Sequence, residues 1–474
     1  MDIPGYYYDE TRGKYFKVEK AHTAPAGAIW SADAVRKRKA DDAARQGVRH
    51  RARLVRRHIK RHTLGRDVVA SGLLSRQTGA EPNWASIDDG DLGAAAWAGA
   101  AVNKGHVPFY PSFETTPNFA NIPCLYVSGD DHKTGLGVAY ATRDEESLVG
   151  NYIPMDDDHG INFDRELLGP VLITEMISCP QMSSIKYHKP THKILLTSRE
   201  RHHSCGVYCF SPPLSAADDA QPHWLLGEAN QYQRISLHHR LRDDWVAYRS
   251  TPAPPSSDLI CVIGTNAGII RVRSDDSMAW IAPQNQALSR HVPQDIFDLD
   301  FQHSNHNVVM AGGRQARLWI TDLRTPELEW TDVRHGSSIA HVRSVNPHQI
   351  LVAGLKNTMA LYDMRFFSQR PNGVRPLLSF ATYRNEAHFH TGWDVSPDLG
   401  IVAAAHDDGT VKLFSLRSGR MLRSDAMDRI YTQAPVKALM FQQMPTEKLP
   451  SLWVGVGPSI QKFTFGAHGM HDEA

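Results

Sequence analysis

Three stretches of this chain repeat one another, and that repetition limits the possible folds more than any other feature. VVMAGGRQARLWITDLRTP (308–326), ILVAGLKNTMALYDMRF (350–366) and IVAAAHDDGTVKLFSLRSG (401–419) share one outline. Each opens with a strand rich in Val, Ile, Leu and Ala, bends through a Gly, Asn or Asp turn, and returns as an alternating strand ending in Leu/Met-Arg. Alternation sends successive side chains to opposite faces, so such strands belong in stacked sheets. Helical periodicity is weak from about Pro108 onward, which argues against a parallel sheet with crossover helices. In the third stretch, Asp408-Gly409 is a dipeptide favoured for type I′ hairpins because it tolerates positive φ.

Asp322 and Asp363 lie 41 residues apart, inside the ~40–45-residue period of WD repeats. The Trp-Asp hallmark is degenerate, appearing as Thr321-Asp322, Tyr362-Asp363 and Phe414-Ser415. Trp319 shares a strand face with Thr321 and is placed to fill the space of the missing Trp. Weaker copies of the outline cover 122–175, 177–210, 245–273 and 437–465. The expectation is an all-β fold, a seven-bladed WD-repeat β-propeller over 108–466, in which ring closure protects the strand edges. Ile320, Leu361, Val411 and Leu413 are expected between blades. A propeller presents two rigid faces of loops, suited to holding peptides and protein partners.

Upstream, residues 1–30 contain an aromatic hairpin (IPGYYYDETRGKYFKVEK, 3–20). Tyr6 and Tyr8 share one face, Arg12-Gly13 form the turn, and the hairpin is expected to pack on its own helix. Residues 31–77 form a basic helical extension. Ser31 caps a first helix, Gly47 breaks it, a second helix runs from Val48 to His62, and a shorter one follows from Leu64 to Leu74. Residues 78–107, with DDGDLGAAAWAGAA, read as linker, and 467–474 as a tail.

Charge is nearly balanced overall, with 52 Lys+Arg against 51 Asp+Glu. Between residues 34 and 62, however, 12 basic residues face only Asp41 and Asp42. That run supports docking on a partner groove through Val48, Leu54, Val55 and Ile59, or nuclear import through RKRK (36–39). Nucleic acid is disfavoured, because no aromatic residues interleave the run and no reader fold accompanies it. A mean hydropathy of −0.39 and the absence of a long apolar run exclude membrane-spanning helices. The opening MDIPGYYYDE has no leader-like apolar core, and five cysteines without a regular framework suit a reducing compartment.

Three clusters carry residue types suited to chemistry. Cys205 and Cys209 share a strand face but stand ~13 Å apart by strand rise, too far for one tetrahedral zinc. MDDDH (155–159) reads as a solvated acidic turn, and His388-x-His390 as a surface or interblade pair. No phosphate loop, GxSxG elbow or HExxH is present. The expectation is no enzyme, no catalytic residue, no metal and no cofactor.

Four motifs carry a family resemblance. These are IPGYYYDETRGKYF near the start, the consecutive endings ITDLRT (320–325) and LYDMRF (361–366), NEAHF (385–389), and LWVGVGPSIQKFTF (452–465). In these the chain resembles the WD-repeat substrate receptors of cullin-4 RING ubiquitin ligases, most of all the subgroup called damage-binding-protein- and cullin-4-associated factor four. The resemblance implies that Asp322, Arg324, Asp363 and Arg365 occupy boxes facing the ligase adaptor. It also implies that an N-terminal helical segment, here carrying Leu54, Ile59 and Leu64, docks on that adaptor. The box tryptophan is replaced by Thr321 and Tyr362. The competing reading of the aspartates is local, as caps of their own blade turns. The implied partners are the cullin-4 adaptor and an unknown protein substrate, in nucleus and cytoplasm. The alternative is a WD-repeat scaffold of a nuclear chromatin or RNA complex without a ligase.

Overall fold

The computed structural model describes residues 6–9, 13–20, 30–58, 91–108, 121–128, 137–141, 147–153, 160–161, 174–179, 181–199, 206–210, 233–236, 246–281, 293–325, 330–369, 374–444, 447–457 and 459–466. The chain divides into two compact units, Met1–Thr78 and Gly79–Ala474.

In the first unit, Tyr6–Asp9 and Lys14–Lys17 pair antiparallel, with Tyr8 opposite Tyr15 and Asp9 opposite Lys14. Gly13 supplies the turn at φ +61°. Tyr6, Tyr8 and Tyr15 are exposed on one face. On the other, Phe16 stacks on Trp30 at 4.8 Å, and the Arg38 guanidinium lies 4.9 Å from the Tyr7 ring centre. The hairpin thus packs on its own helix, α1 (Ala32–His58). Ser31 begins that helix, its Oγ accepting the Ala34 N–H at 3.3 Å. The expected break at Gly47 is absent, and no separate helix starts at Val48: α1 continues through both. One interior glycine costs a helix only about 1 kcal/mol relative to Ala, and good helix formers surround it. Leu54 lies on α1; Ile59, Leu64 and the helix expected from Leu64 to Leu74 fall outside the described residues.

The second unit is the seven-bladed propeller. Blade 1 runs from Leu125–Val127 to Thr174–Ser178, blade 2 from Met182–His188 to Gln233–Ser236, and blade 3 from Ala247–Pro252 to Met278–Trp280. Blade 4 runs from Ile296–Gln302 to Thr331–Arg334, blade 5 from Ile339–Asn346 to Leu378–Ser379, and blade 6 from Trp393–Ser396 to Met421–Leu422. Each is a four-stranded antiparallel meander. Blade 7 takes three strands from the end of the chain, Leu439–Gln442, Ser451–Val456 and Ser459–Phe465, and its fourth from Ala101–Pro108. Sheets pack face to face in sequence order, each interface holding its own apolar cluster, and the cluster of Val107, Ile122, Val138, Trp453 and Ile460 joins blade 7 to blade 1.

The linker expected over 78–107 is therefore corrected at its C-terminal end. Leu92–Ala100 forms helix α2, burying Ala94, Trp97 and Ala98, and residues 101–108 belong to the ring, which begins before 108. Small apolar residues on nearly every side of α2 leave no polar stripe to betray a helix. A register shift between Asn103 and His106, with Gly105 at φ +111°, hides the strand's alternation.

Two finer expectations also change. At Asp408-Gly409 only the glycine is left-handed (φ +81°), and the Gly409 N–H bonds to His406 O at 3.2 Å. This is a turn followed by a left-handed glycine. The hairpin with two left-handed central residues is in blade 5, at Lys356 (φ 51°) and Asn357 (φ 59°). Leu361, Val411 and Leu413 are buried, whereas Ile320 is only half-buried at the edge of the cluster between blades 4 and 5. Its neighbours Trp319 and Leu318 fill the interfaces on either side of blade 4.

Candidate functional site

Antiparallel winding puts the first–second and third–fourth strand turns of every blade on one face. Both boxes end a third strand, Arg317–Asp322 in blade 4 and Met359–Asp363 in blade 5, and so present their arginines on that same face. Their geometry is the same in both. The Asp carboxylate accepts the backbone N–H two residues on at 3.0 Å, and the Arg Nε and Nη2 donate back to it at 3.0 and 2.6 Å. The aspartates thus cap their turns, as the local reading expects, and each arginine closes over its own box. Hydrogen bonds from Arg324 hold the Asp322 carboxyl down at about 2, and Arg365 lowers Asp363 likewise. The boxes differ in burial: both arginine side chains are exposed, at 65% and 61%, but Asp322 is 29% exposed and Asp363 only 2%.

Where a box Trp would stand, Tyr362 is buried and its hydroxyl meets His335 Nδ1 at 2.9 Å; His335 Nε2 lies 3.0 Å from Thr358 Oγ1, which lies 2.6 Å from Ser337 Oγ. In blade 4, Trp319 and Thr321 are both buried on one strand face, so the tryptophan occupies the expected interblade space.

The same face holds a cavity of about 620 Å³ between blades 5 and 6, floored by Leu361, Leu378, Leu399 and Leu416 and bordered by Gly93 of α2 and by Arg417.

On the opposite face, the loop joining blades 5 and 6 reaches over the channel. Asn385, fully buried, donates its amide N–H to His388 O at 2.7 Å and accepts the His388 N–H at 2.9 Å, fixing the loop's curve. Phe389 then stacks on Phe297 of blade 4 at 4.6 Å and meets Tyr248 of blade 3 edge-on at 6.0 Å. The His390 Nε2 accepts from Arg199, beyond blade 2's second strand, at 3.1 Å. Burial, then the Arg199 charge, push the His390 imidazole down to about 2. His388 is exposed while His390 is the interblade partner, so the two do not form a metal pair.

Inside the ring, carboxylates on inner strands bond to the next blade. Asp298 accepts the Val342 N–H at 3.0 Å, Asp300 the Ser344 N–H at 2.8 Å, and Asp394 the Phe441 N–H at 2.7 Å. Arg249 pairs with Asp298 at 3.1 Å and Arg343 with Asp394 at 3.3 Å. Motif reading missed these residues, although the alternating aspartates of FDLDF (297–301) were a visible signal. Among the described residues no group of His, Cys, Asp and Glu could hold a metal. Cys209 is buried, its thiol pushed up to about 12, and Cys205 lies outside the described residues. No described helix is long and apolar enough to cross a membrane.

No family model matches the chain. Over 196 residues, 40% of its length, it is 25% identical to WD repeat-containing protein 21 of Schizosaccharomyces pombe, and it spans 41% of that protein. The WD40 β-propeller domain of Doa1 superposes with a TM-score of 0.48 at 10% identity, covering 77% of this chain and 97% of that one. Seven closed four-stranded blades make this chain a seven-bladed β-propeller, and over the matched residues it is similar to a protein named for its WD repeats.

Proposed function

We propose that the chain is a substrate receptor of a cullin-4 RING ubiquitin ligase, binding the ligase adaptor with its box-bearing face and presenting a target protein for ubiquitination. The observation that carries this reading is the pair of boxes: two consecutive blades hold an exposed arginine in the same geometry on one face. A generic scaffold requires no such duplication. The basic helix α1 supplies a second, separable docking element, and RKRK (36–39) a nuclear import signal for a protein shared between nucleus and cytoplasm. The receptor contributes no catalytic group; it raises the effective concentration of target lysines near the ubiquitin-charged enzyme.

The test is affinity purification of the full chain, asking whether the cullin-4 adaptor co-elutes. Arg324→Glu should abolish co-elution without unfolding the ring, since charge reversal at a contact adds repulsion. Adaptor binding that survives this change and deletion of residues 31–77 would refute the reading. Absence of the adaptor from the wild-type eluate would favour a nuclear scaffold without a ligase.

A further inference from the structure

We infer that the central channel holds a small, multiply charged oxyanion of the phosphate class, seated between Lys186 of blade 2, Arg249 of blade 3 and Arg343 of blade 5. The inference is independent of the receptor reading.

All three residues lie on the inner strands of their blades, Met182–His188, Ala247–Pro252 and Ile339–Asn346. Blades 2 and 5 are not neighbours in the ring, so the influence of Arg343 on Lys186 is exerted across the channel. Arg249 is paired with Asp298, and Arg343 reaches Asp394 through one terminal nitrogen. Lys186 differs: among the described residues its ammonium makes neither a hydrogen bond nor an ion pair. Burial, then the charges of Arg343 and Arg249, push that ammonium down to about 8; Asp394 and Asp298 act the other way and weigh less. A charge withdrawn from water is costly unless an opposite charge meets it.

The channel carboxylates are committed to the backbone. Asp298 accepts the N–H groups of Leu299 and Val342, Asp300 those of Phe301 and Ser344, and Asp394 that of Phe441. Each donor takes up part of the negative charge. The field they leave is positive at two further bases. After burial, His341 is pushed down by Arg249, His390, Arg343 and Lys186, and His390 by Arg199, Arg249 and Lys437. Two observations select the ligand. The Arg343 Nε is buried without a partner among the described residues, a guanidinium donor still lacking its acceptor. Guanidinium forks match the oxygens of phosphate, which a halide cannot imitate. On the face away from the boxes, Phe389 stacks on Phe297 and His390 meets Arg199, so the loop joining blades 5 and 6 roofs the channel. That roof suits a small enclosed ligand better than a peptide threaded through the ring.

Isothermal calorimetry on the full chain tests the site, with inorganic phosphate as the probe and ionic strength held fixed by sodium chloride. Wild type should bind phosphate, Lys186→Met should weaken binding about tenfold or more, and Lys186→Arg, which keeps the charge, should retain it. In phosphate-free buffer Lys186→Met should melt no lower than wild type, because it removes a charge that Arg249 and Arg343 repel. Inositol hexakisphosphate, titrated in parallel, separates the two sources of the group: tighter binding of phosphate assigns the free ion, and tighter binding of the hexakisphosphate assigns a phosphorylated small molecule. No binding of either, or equal affinity in wild type and Lys186→Met, would overturn the inference. So would a Lys186→Met that melts well below wild type without phosphate, since the lysine would then be a structural residue needing no anion. A phosphoserine peptide bound more tightly than both probes would also overturn it, by giving the channel to a partner protein.

Discussion

The ammonium of Lys462, wholly shut off from solvent, lies 2.7 Å from a carboxylate oxygen of Glu447 inside blade 7. The other carboxylate oxygen accepts from Ser451 Oγ at 2.5 Å, and the ammonium also stands 5.5 Å from the Trp453 ring centre. Taking two charges out of water is costly, and their attraction offsets the cost only while both are present. Lys462→Met should therefore destabilise the chain by about 3–5 kcal/mol, the range for stranding one buried charge. Adding Glu447→Gln should recover most of that loss, because the amide is neutral and still offers Ser451 an acceptor. Urea denaturation of the three proteins measures both steps, and a double variant no better than the single one would contradict this account.

Asp298 performs an interblade task that its neighbours cannot assume. Asp298→Ala leaves the Val342 N–H without its acceptor and takes the carboxylate from the Arg249 guanidinium, which keeps only His341 Nδ1 at 3.2 Å among these partners. An orphaned buried donor costs about 1–3 kcal/mol, more for a charged one. The expected loss is at least ~2 kcal/mol, with faster hydrogen exchange at Val342. Protection there equal to wild type would show that the carboxylate is dispensable.

The two boxes should respond unequally to charge reversal. Arg324→Glu places its carboxylate beside a partly solvated Asp322, whereas Arg365→Glu places one beside an Asp363 only 2% exposed. Exposed charges are screened by water and buried ones are not. Thermal melts should show little change for Arg324→Glu and a clear drop for Arg365→Glu. Equal drops would mean that burial of the aspartate does not set the response.

Acid should loosen the ring through its histidines. Burial pushes His335 and His406 down to about 4 in the folded chain, against about 6.5 when unfolded. Between those values the unfolded chain binds more protons, so this stability is present above pH ~6.5 and is lost as pH falls toward ~4. The slope is at most ~1.4 kcal/mol per pH unit for each histidine. His335→Gln, which keeps hydrogen-bonding capacity toward Thr358 and Tyr362, should flatten the fall of the denaturation midpoint between neutral pH and pH 5. An identical slope would assign the acid sensitivity elsewhere.

Truncating Leu413, 1% exposed between blades 6 and 7, should cost about 2–5 kcal/mol, as buried leucines do. Ile320→Ala should cost distinctly less, because Ile320 is only half-buried. Reversal of that order in chemical denaturation would mean the strand faces are misassigned.

That pair also shows where the sequence was legible. Alternation identified the strands of blades 4 to 6 and their faces, because Gly, Asn and Asp turns punctuate short apolar runs. It could not tell Ile320 from Leu413, since burial depends on how far the adjacent blade extends. The box aspartates were readable as turn caps because an Asp two residues before a backbone N–H carries that geometry locally. The pocket was not readable, as its walls come from α2, blade 5 and blade 6, which no local pattern links. The reach of Phe389 to Tyr248 and Phe297 was invisible for the same reason: NEAHF marked a segment, not its destination.

The origin of blade 7's fourth strand also sets a schedule for biogenesis. Asn103 bonds through its amide to Gln461, 358 residues later. At a synthesis rate of ~5–20 residues per second, on the order of 20–70 s elapse before the partner of Ala101–Pro108 leaves the ribosome. By the end of that interval six blades can be wound while two raw sheet edges remain unpaired, each a template for pairing with another nascent chain. Ring closure waits for the terminal strands, and a message truncated before Ser459 would release an arc with no means of becoming a circle.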